Sequence, residues 1–431
     1  MIVKKIQLFV TKLRGEGLTA RFINIFSVDV LSKVINIALL PIYLNILSVE
    51  EFGLLGYLTS IISAFGFLHF GLFLAQSRLY HDYSGEERKS LLFTIFFSLV
   101  VFLSIFFIVC YLTGLDVFLI KFLFPNSSAP ENYRSDIFLA ILVSVLQLMA
   151  FNYLLTSERV KAVQISNLFK AFAVNLFCIL LLLSLKGHVN LAIARFRVIY
   201  VGDFMVFFFC FSYYVRAMNF HFRFDLFAKI LHFSVPVMLS ALVGIGINFS
   251  DRFFITKYLD FKEMGIYNLA ISVTSIFLMT TSALQNVWLP MFFKASDLRE
   301  KIKKSFRIGK GIIVSYSVII IASCFGIILA IWLDVINKEF SKAILLIVIL
   351  GIANIITALT HLISNYFVLY HRASIGVIIG VFISGIALFL NFVFIRRFGI
   401  VGASFSYLIA VSLSFVIHWV VIRLFLKEKI N

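Results

Sequence analysis

Residues 29–57 read DVLSKVINIALLPIYLNILSVEEFGLLGY. The stretch opens as an apolar helix that carries Asp29, Lys33 and Asn36. Their spacing, i, i+4 and i+7, places all three on one helical face. In an aqueous protein such a pair is a surface salt bridge. Here the flanks are apolar from Phe22 to Leu47, a run long enough to cross a bilayer. A charge near the middle of a spanning helix is costly, so this face is expected to turn towards protein or a water-filled cavity. Pro41 follows and removes one backbone hydrogen bond, which predicts a kink. Glu50, Glu51, Phe52 and Gly53 then make a short acidic turn into the next apolar run.

The stretch recurs. A shift of 212 residues carries Ile35-Asn36 onto Ile247-Asn248, Leu47 onto Leu259, and Glu51 and Gly53 onto Glu263 and Gly265. It also carries Ser60, Ser63 and Phe65 onto Ser272, Ser275 and Phe277. Either these are coincidences among apolar residues, or the chain is a duplicated six-helix unit whose charged first and seventh helices correspond.

Composition sets the class. The chain has 431 residues, 61% of them hydrophobic, with 52 Phe and 14% charged. That is too apolar for a soluble protein and fits an integral membrane protein. Cys110, Cys178, Cys210 and Cys324 all lie in apolar runs, none in a CxxC or beside a His or carboxylate at ligand spacing. They read as small packing residues. The net charge is +17, without a basic tail or a nucleic-acid motif. Such a membrane protein meets anionic lipid or carries an anionic substrate rather than nucleic acid. The opening MIVKKIQLFVTKLRGEGLTARF is basic and amphipathic and lacks an A-x-A-like site. It is expected to be a retained interfacial helix on the cytoplasmic side.

Twelve apolar runs can be marked, at 22–47, 53–75, 91–112, 135–155, 163–185, 192–215, 231–251, 265–289, 309–333, 342–369, 374–395 and 400–425. The connections are short except 113–134, whose Pro125, Asn126, Ser127, Ser128 and Pro130 are loop chemistry. Placing the N-terminus inside puts Lys and Arg on the cytoplasmic connections by roughly two to one. The central basic loop KASDLREKIKKSFRIGKG, between the eighth and ninth runs, is the strongest single marker. Both termini are therefore expected in the cytoplasm. The expected organisation is an interfacial helix at 1–21, an N-terminal lobe at 22–215, a cytoplasmic linker at 216–230, a C-terminal lobe at 231–425 and a tail at 426–431.

Several runs carry polar stripes. On the eighth, Asn268, Ser272, Ser275, Met279, Ser282 and Asn286 follow a three-four spacing. On the tenth, Asn354, Thr357, His361, Ser364 and Asn365 do the same, and on the seventh Ser240, Gly244, Asn248 and Asp251. Such faces turn away from lipid. They serve helix–helix hydrogen bonding or line a hydrated cavity.

Ionisable residues inside spans are functional candidates by default. Asp29 and Lys33 either neutralise one another, or Lys33 meets an anionic substrate while Asp29 tunes it or takes a coupling proton. Lys170 either snorkels to the cytoplasmic face or acts within the membrane. Asp203, in VGDFM, has no cation four residues away on its own helix. Arg195 and Arg197 precede it and could pair with it. Asp251-Arg252 close the seventh run, as an interfacial ion pair or as site residues, and Arg78 closes the second. His69 and His361 stand alone and read as hydrogen-bonded bundle histidines rather than metal ligands. There is no HExxH, GxSxG or Walker A motif. The external connections are too small to build a transferase site. A transporter is expected rather than an enzyme.

Two blocks, SVEEFGLLGYLTSIISAFGFLHFGL after the first helix and FSVPVMLSALVGIGINFSDRFFITKYLDFKEMGIYNLA at the seventh, resemble the polysaccharide transporter family. This is the O-antigen flippase (Wzx-type) branch of the multidrug/oligosaccharidyl-lipid/polysaccharide superfamily. Pro236 early in helix seven, Asp251-Arg252 at its end, Gly265-Ile266-Tyr267 opening helix eight and the late Pro290 match the family pattern. The resemblance covers nearly the whole chain. It implies an all-α integral membrane protein of about twelve spans in two pseudo-symmetric six-helix lobes, with a MATE-like V shape.

The resemblance also implies a function. Members flip an undecaprenyl-diphosphate-linked oligosaccharide from the cytoplasmic to the periplasmic leaflet of the bacterial inner membrane. Lys33, Arg78, Lys170 and Arg252 are then the candidate anion contacts. Asp29, Asp203 and Asp251 are candidates for coupling to a proton or sodium gradient, with no cofactor or metal. Asn36, Asn248, Asn268, Ser272, Ser275, Asn354, Thr357 and His361 would line the polar lumen. Partners would be the lipid-linked glycan, membrane lipids, and a polymerase and chain-length regulator of the same pathway. Two other readings stand beside this one: a multidrug or cation antiporter of the superfamily, and a membrane glycan polymerase or ligase.

Overall fold

A computed structural model describes residues 18–126, 130–187, 189–294, 298–370 and 372–430; within the helices, the side chains of residues 18–30, 247, 286–287, 290–291, 294, 298, 373–374 and 425–430 are not described. The interfacial helix expected at 1–21 lies almost wholly outside the described residues, as does the side chain of Pro290.

The described residues are nearly all helical and contain no strand. In order they form α1 (Leu18–Ile46), α2 (Val49–Ala64), α3 (Leu72–Leu79), α4 (Gly85–Thr113), α5 (Leu115–Leu123), α6 (Arg134–Thr156), α7 (Val160–Leu168), α8 (Asn175–Leu185) and α9 (Leu191–Val215). Then follow α10 (Phe224–Asn248), α11 (Ser250–Tyr258), α12 (Phe261–Lys294), α13 (Leu298–Trp332), α14 (Ala343–Leu369) and α15 (Ala373–Ile430). Among the described residues ten helical segments are long and apolar enough to cross a membrane. Two further spans complete the expected twelve. The 29-residue α1 holds the first apolar run. Within α15, Gly399 at φ 59°, ψ −143° separates the eleventh run from the twelfth. Outward-facing side chains are apolar, as lipid contact requires: Leu112 is 76% exposed and Trp332 77%.

Three expectations are corrected. The second apolar run is not one helix. It breaks after α2 into a 3-10 turn, Phe65–His69, and restarts at α3, with Phe70 and Gly71 both at positive φ. Gly71 is required there, because a Cβ would lie 2.3 Å from the Ser234 carbonyl oxygen. A broken backbone at membrane depth needs internal partners. Gly71 N–H donates to His69 Nδ1 (2.8 Å), and Asn152 Nδ2 on α6 reaches the Phe73 carbonyl (2.7 Å), which holds the restarted helix beside α6. The 113–134 connection is not all loop either, since it carries α5, whose ends are tied by Asp116–Arg134 and Lys121–Glu131 ion pairs. Finally, from Leu298 onward the basic segment forms the first turns of α13. Charged residues of good helix propensity extend a helix past its apolar run.

The helices sort into two compact units, Met1–Ile46 with Ile61–Ala241, and Leu47–Ser60 with Leu242–Asn431. The boundaries fall between α1 and α2, inside α2 and inside α10. The first unit has a core of Tyr153, Leu154, Val163, Val206, Cys210 and Tyr214. Trp288, Phe292, Tyr316, Tyr366 and Phe367 anchor a core of the second. Tilted and edge-to-face aromatic pairs of this kind add to area burial by about 0.5–1.5 kcal/mol per pair.

Candidate functional site

In the first unit, α7 and α8 are one continuous run interrupted by a π-turn at Phe169–Val174. Such turns are uncommon and concentrate at functional sites. Lys170 sits in this turn, about 15 Å along the span from Val160, well inside the membrane. The π-turn leans on α9 at Gly202, where a Cβ would come within 2.8 Å of the Val174 side chain. The next residue, Asp203, forms an ion pair with Lys170. The carboxylate is only 15% exposed and the lysine 40%. Lys170 therefore does not snorkel. Its charge is met by a carboxylate on a neighbouring helix.

The first turn of α8 extends this pair into a network. Asn175 Nδ2 donates back to the carbonyls of Lys170 (3.3 Å) and Ala171 (3.0 Å), within the π-turn. It also donates to Asn36 Oδ1 on α1 (3.0 Å), and the Tyr43 hydroxyl donates to Asn175 Oδ1 (2.7 Å). The guanidinium of Arg195, on α9, lies 3.3 Å from the centre of the Tyr43 ring. Ser32 Oγ donates to the Asn167 carbonyl (3.4 Å). Three membrane-spanning runs are thus joined by polar side chains around one ion pair. Lys33 lies on the exposed part of α1, three residues before Asn36. The side chain of Asp29 lies outside the described ones.

Arg195 and Arg197 do not reach Asp203. Eight residues of helix separate Arg195 from it, about 12 Å of rise. Arg197 instead grips Asp136 through Nε (3.0 Å) and Nη2 (2.9 Å), and Tyr200 donates to the same carboxylate (2.9 Å). Arg78 makes an exposed pair with Asp82 at the end of α3 (3.0 Å).

In the second unit, Asp251 is buried. Its carboxylate accepts from Tyr267 (2.6 Å) and from the Arg252 backbone N–H (2.8 Å), and the Arg252 Nη1 lies at 3.3 Å. The Arg252 guanidinium also bonds the Asn248 carbonyl. Ser250 accepts from Asn391 (2.9 Å). Asn268 lies against Gly56 and donates to the Phe52 carbonyl (3.4 Å). Most of the polar stripe bonds its own helix: Asn248 to Gly244, Ser275 to Ser272, Asn354 to Leu350 and Thr357 to Ala353. The His361 carbonyl accepts from Ser364. Back-bonding of this kind satisfies a polar side chain without a cavity. Between helices, Asn365 donates to Gln285 Oε1 (3.1 Å).

Of the residues singled out in the sequence, Lys170, Asp203 and Asn36 come together in one network. Arg78, Asp251 and Arg252 are held in ion pairs elsewhere. The network's other members, Asn175, Tyr43 and Arg195, were not singled out as site residues. A signal existed for Asn175, the lone amide in FAVNLFC. The π-turn that aims it has no sequence signature. Among the described residues no three His, Cys, Asp or Glu gather as a metal site.

Residues 18–296 match the family described as polysaccharide biosynthesis protein. No curated protein matches the sequence. Among solved structures the chain is similar to one described as lipid II flippase MurJ in an inward closed conformation, with a TM-score of 0.72 and 14% identity, over 92% of this chain and 87% of that one. It is similar to an inward-facing multidrug resistance MATE family transporter of the MOP superfamily, with a TM-score of 0.68 and 12% identity, over 94% and 95%. A MOP superfamily transporter from Pyrococcus furiosus, described as having a binding pocket of reverse polarity, gives a TM-score of 0.54 and 15% identity, over 96% and 98%. These likenesses establish a MATE-like, all-α membrane fold.

Proposed function

The chain belongs to the polysaccharide biosynthesis protein family, and from that premise we propose that it is a flippase for an undecaprenyl-diphosphate-linked oligosaccharide. It carries the glycan and diphosphate from the cytoplasmic to the periplasmic leaflet of a bacterial inner membrane. O-antigen or a related repeat unit is the cargo, and a proton or sodium gradient drives alternating access. Both termini face the cytoplasm.

One observation carries the reading. The spans of the first unit hold four cations, Lys33, Lys170, Arg195 and Arg197, against three acids, Asp29, Asp136 and Asp203. Among the described residues Arg195 has an aromatic ring and no carboxylate as its partner. An excess cation at membrane depth is expensive unless an anion is expected there. A diphosphate is such an anion, and a polar chamber excludes it from hydrocarbon while the polyprenyl chain stays in lipid. In this reading Lys33, Lys170 and Arg195 meet the diphosphate. Asp203 holds Lys170 in place between cycles and is a coupling candidate with Asp29.

The test is a deletion strain. Accumulation of intact lipid-linked units on the cytoplasmic side, with loss of surface polysaccharide, supports the reading. Units that reach the periplasm unpolymerised indicate a polymerase or ligase. Unchanged polysaccharide with new sensitivity to cationic dyes indicates a drug exporter.

A further inference from the structure

One end of the first unit carries a ribbon in which cations and tyrosines alternate. Lys229, at the start of α10, lies 5.7 Å from the Tyr83 ring, and its Nζ donates to the Tyr83 hydroxyl (3.1 Å). Arg88, at the start of α4, donates through Nε to the Tyr83 carbonyl (2.8 Å) and stacks 4.6 Å from the Tyr80 ring. Tyr80 meets Tyr153 edge to face at 6.2 Å. Arg159, at the start of α7, lies over Tyr213 at 5.1 Å and Tyr153 at 6.0 Å. This is the end where α3, α6 and α9 finish and α4, α7 and α10 begin.

Among the described residues no carboxylate pairs with Arg88, Arg159 or Lys229. The contrast with Arg223 on the same end is direct, since Glu87 and Asp225 hold it at 3.0 and 2.6 Å. A tyrosine face orients a cation without cancelling its charge. The ribbon therefore keeps three fixed positive charges, separated by rings rather than converged on one point. Beside it, the NFHFRF segment of residues 219–224 alternates polar and aromatic residues. Phe220 is 77% and Phe224 75% exposed, while Asn219 donates to Glu86 and Ser90. Exposed phenylalanines next to unpaired cations and tyrosines are the pattern of a membrane–water interface.

We infer that this ribbon binds the headgroups of anionic phospholipids. Spaced single charges suit several phosphodiesters of one leaflet. Tyrosine hydroxyls supply donors to the same phosphates. The inference stands apart from the nature of the transported cargo.

Lipid retention by the full chain in mild detergent tests it, read by native mass spectrometry and by thermal unfolding with added lipid. Phosphatidylglycerol should be retained over phosphatidylcholine and should raise the melting temperature more. The preference should fade as salt rises. Each of Arg88→Gln, Arg159→Gln and Lys229→Gln should weaken retention roughly fivefold. Lys304→Gln, at a lysine already paired with Glu300, should leave it unchanged. The triple Gln variant should keep its melting temperature in phosphatidylcholine. Equal retention of the two lipids, a preference insensitive to salt, or single variants that retain phosphatidylglycerol like the parent would overturn the inference. So would selective retention of a polyprenyl diphosphate over phosphatidylglycerol, which would mark the ribbon as a cargo-loading station instead.

Discussion

Gly53 and Gly265 lie back to back, each seated on the backbone of the other's helix. A Cβ on Gly53 would be 1.8 Å from the Phe261 carbonyl oxygen, and a Cβ on Gly265 would be 2.0 Å from the Val49 carbonyl oxygen. The shift that carries Gly53 onto Gly265 also carries Val49 onto Phe261, so the two contacts are images of one another. Gly56 continues the crossing, since a Cβ there would strike the amide of Asn268, the residue at its own shifted position. The helix starts repeat as well. Ser48 and Glu51 form a reciprocal capping box, with Ser48 N–H donating to Glu51 (2.9 Å) and Glu51 N–H to Ser48 (3.1 Å). At the shifted position Asp260 caps the Glu263 N–H (2.7 Å). The recurrence seen in sequence is a local two-fold relation in space.

From this crossing follows a steric prediction. Gly53→Ala and Gly265→Ala must each push two backbones apart, at a cost of about 1–3 kcal/mol or more. Both variants should lower the melting temperature and the amount of folded protein. Gly66→Ala, with nothing within 4 Å of its added Cβ, is the matched control and should behave like the parent. Parent-like melting of Gly53→Ala would show that the two helices do not cross this closely.

Lys170 and Asp203 depend on one another. Removing the lysine alone leaves a carboxylate 15% exposed within the membrane-spanning region. Lys170→Ala should destabilise by about 1–3 kcal/mol, less than a fully buried pair, because the lysine is 40% exposed. Lys170→Ala combined with Asp203→Ala should recover part of that loss, because no orphaned charge remains. A double mutant cycle measured by thermal unfolding checks the coupling, and additive losses would mean that the pair is not formed. If Lys170 meets the cargo, the double variant regains stability without regaining transport.

Asn152 ties α3, just past the break in the second apolar run, to α6. Its amide donates to the Phe73 carbonyl and to Ser77 (3.0 Å). Asn152→Ala should cost about 1–2 kcal/mol, the range for a polar contact between membrane helices. Asn152→Asp removes the amide donors and should cost at least as much. An unaffected Asn152→Ala variant would mean that this contact does not hold α3 against α6.

The spans were legible because bilayer thickness imposes a long apolar run on every one of them, and each marked run meets a helix. Gly53 and Gly265 were legible as a repeat, but not as a contact. Lys170 and Asp203 were both legible as charges out of place. Their pairing was not, because the partners lie on different helices, and the cations nearest Asp203 in sequence, Arg195 and Arg197, are on its own helix. Tyr43 carried no signal in the sequence, because the Arg195 guanidinium over its ring comes from another helix. The polar stripes left two readings open for a physical reason. A Ser or Thr at three-four spacing marks a cavity wall and a back-bonded helix equally well, and in α12 and α14 most of these side chains bond their own carbonyls.

Transport of a lipid-linked anion through the cationic network is the central claim, and reconstitution tests it most directly. The purified chain would be placed in proteoliposomes with a fluorescent undecaprenyl-diphosphate-linked oligosaccharide, and translocation read as loss of lectin access to the glycan on the outer leaflet. The parent should move the labelled unit across the bilayer faster than empty liposomes. The Lys170→Ala, Asp203→Ala double variant, folded and inserted to the same level, should slow that movement at least tenfold. Parent liposomes that translocate no faster than empty ones, or a double variant as fast as the parent, would contradict it.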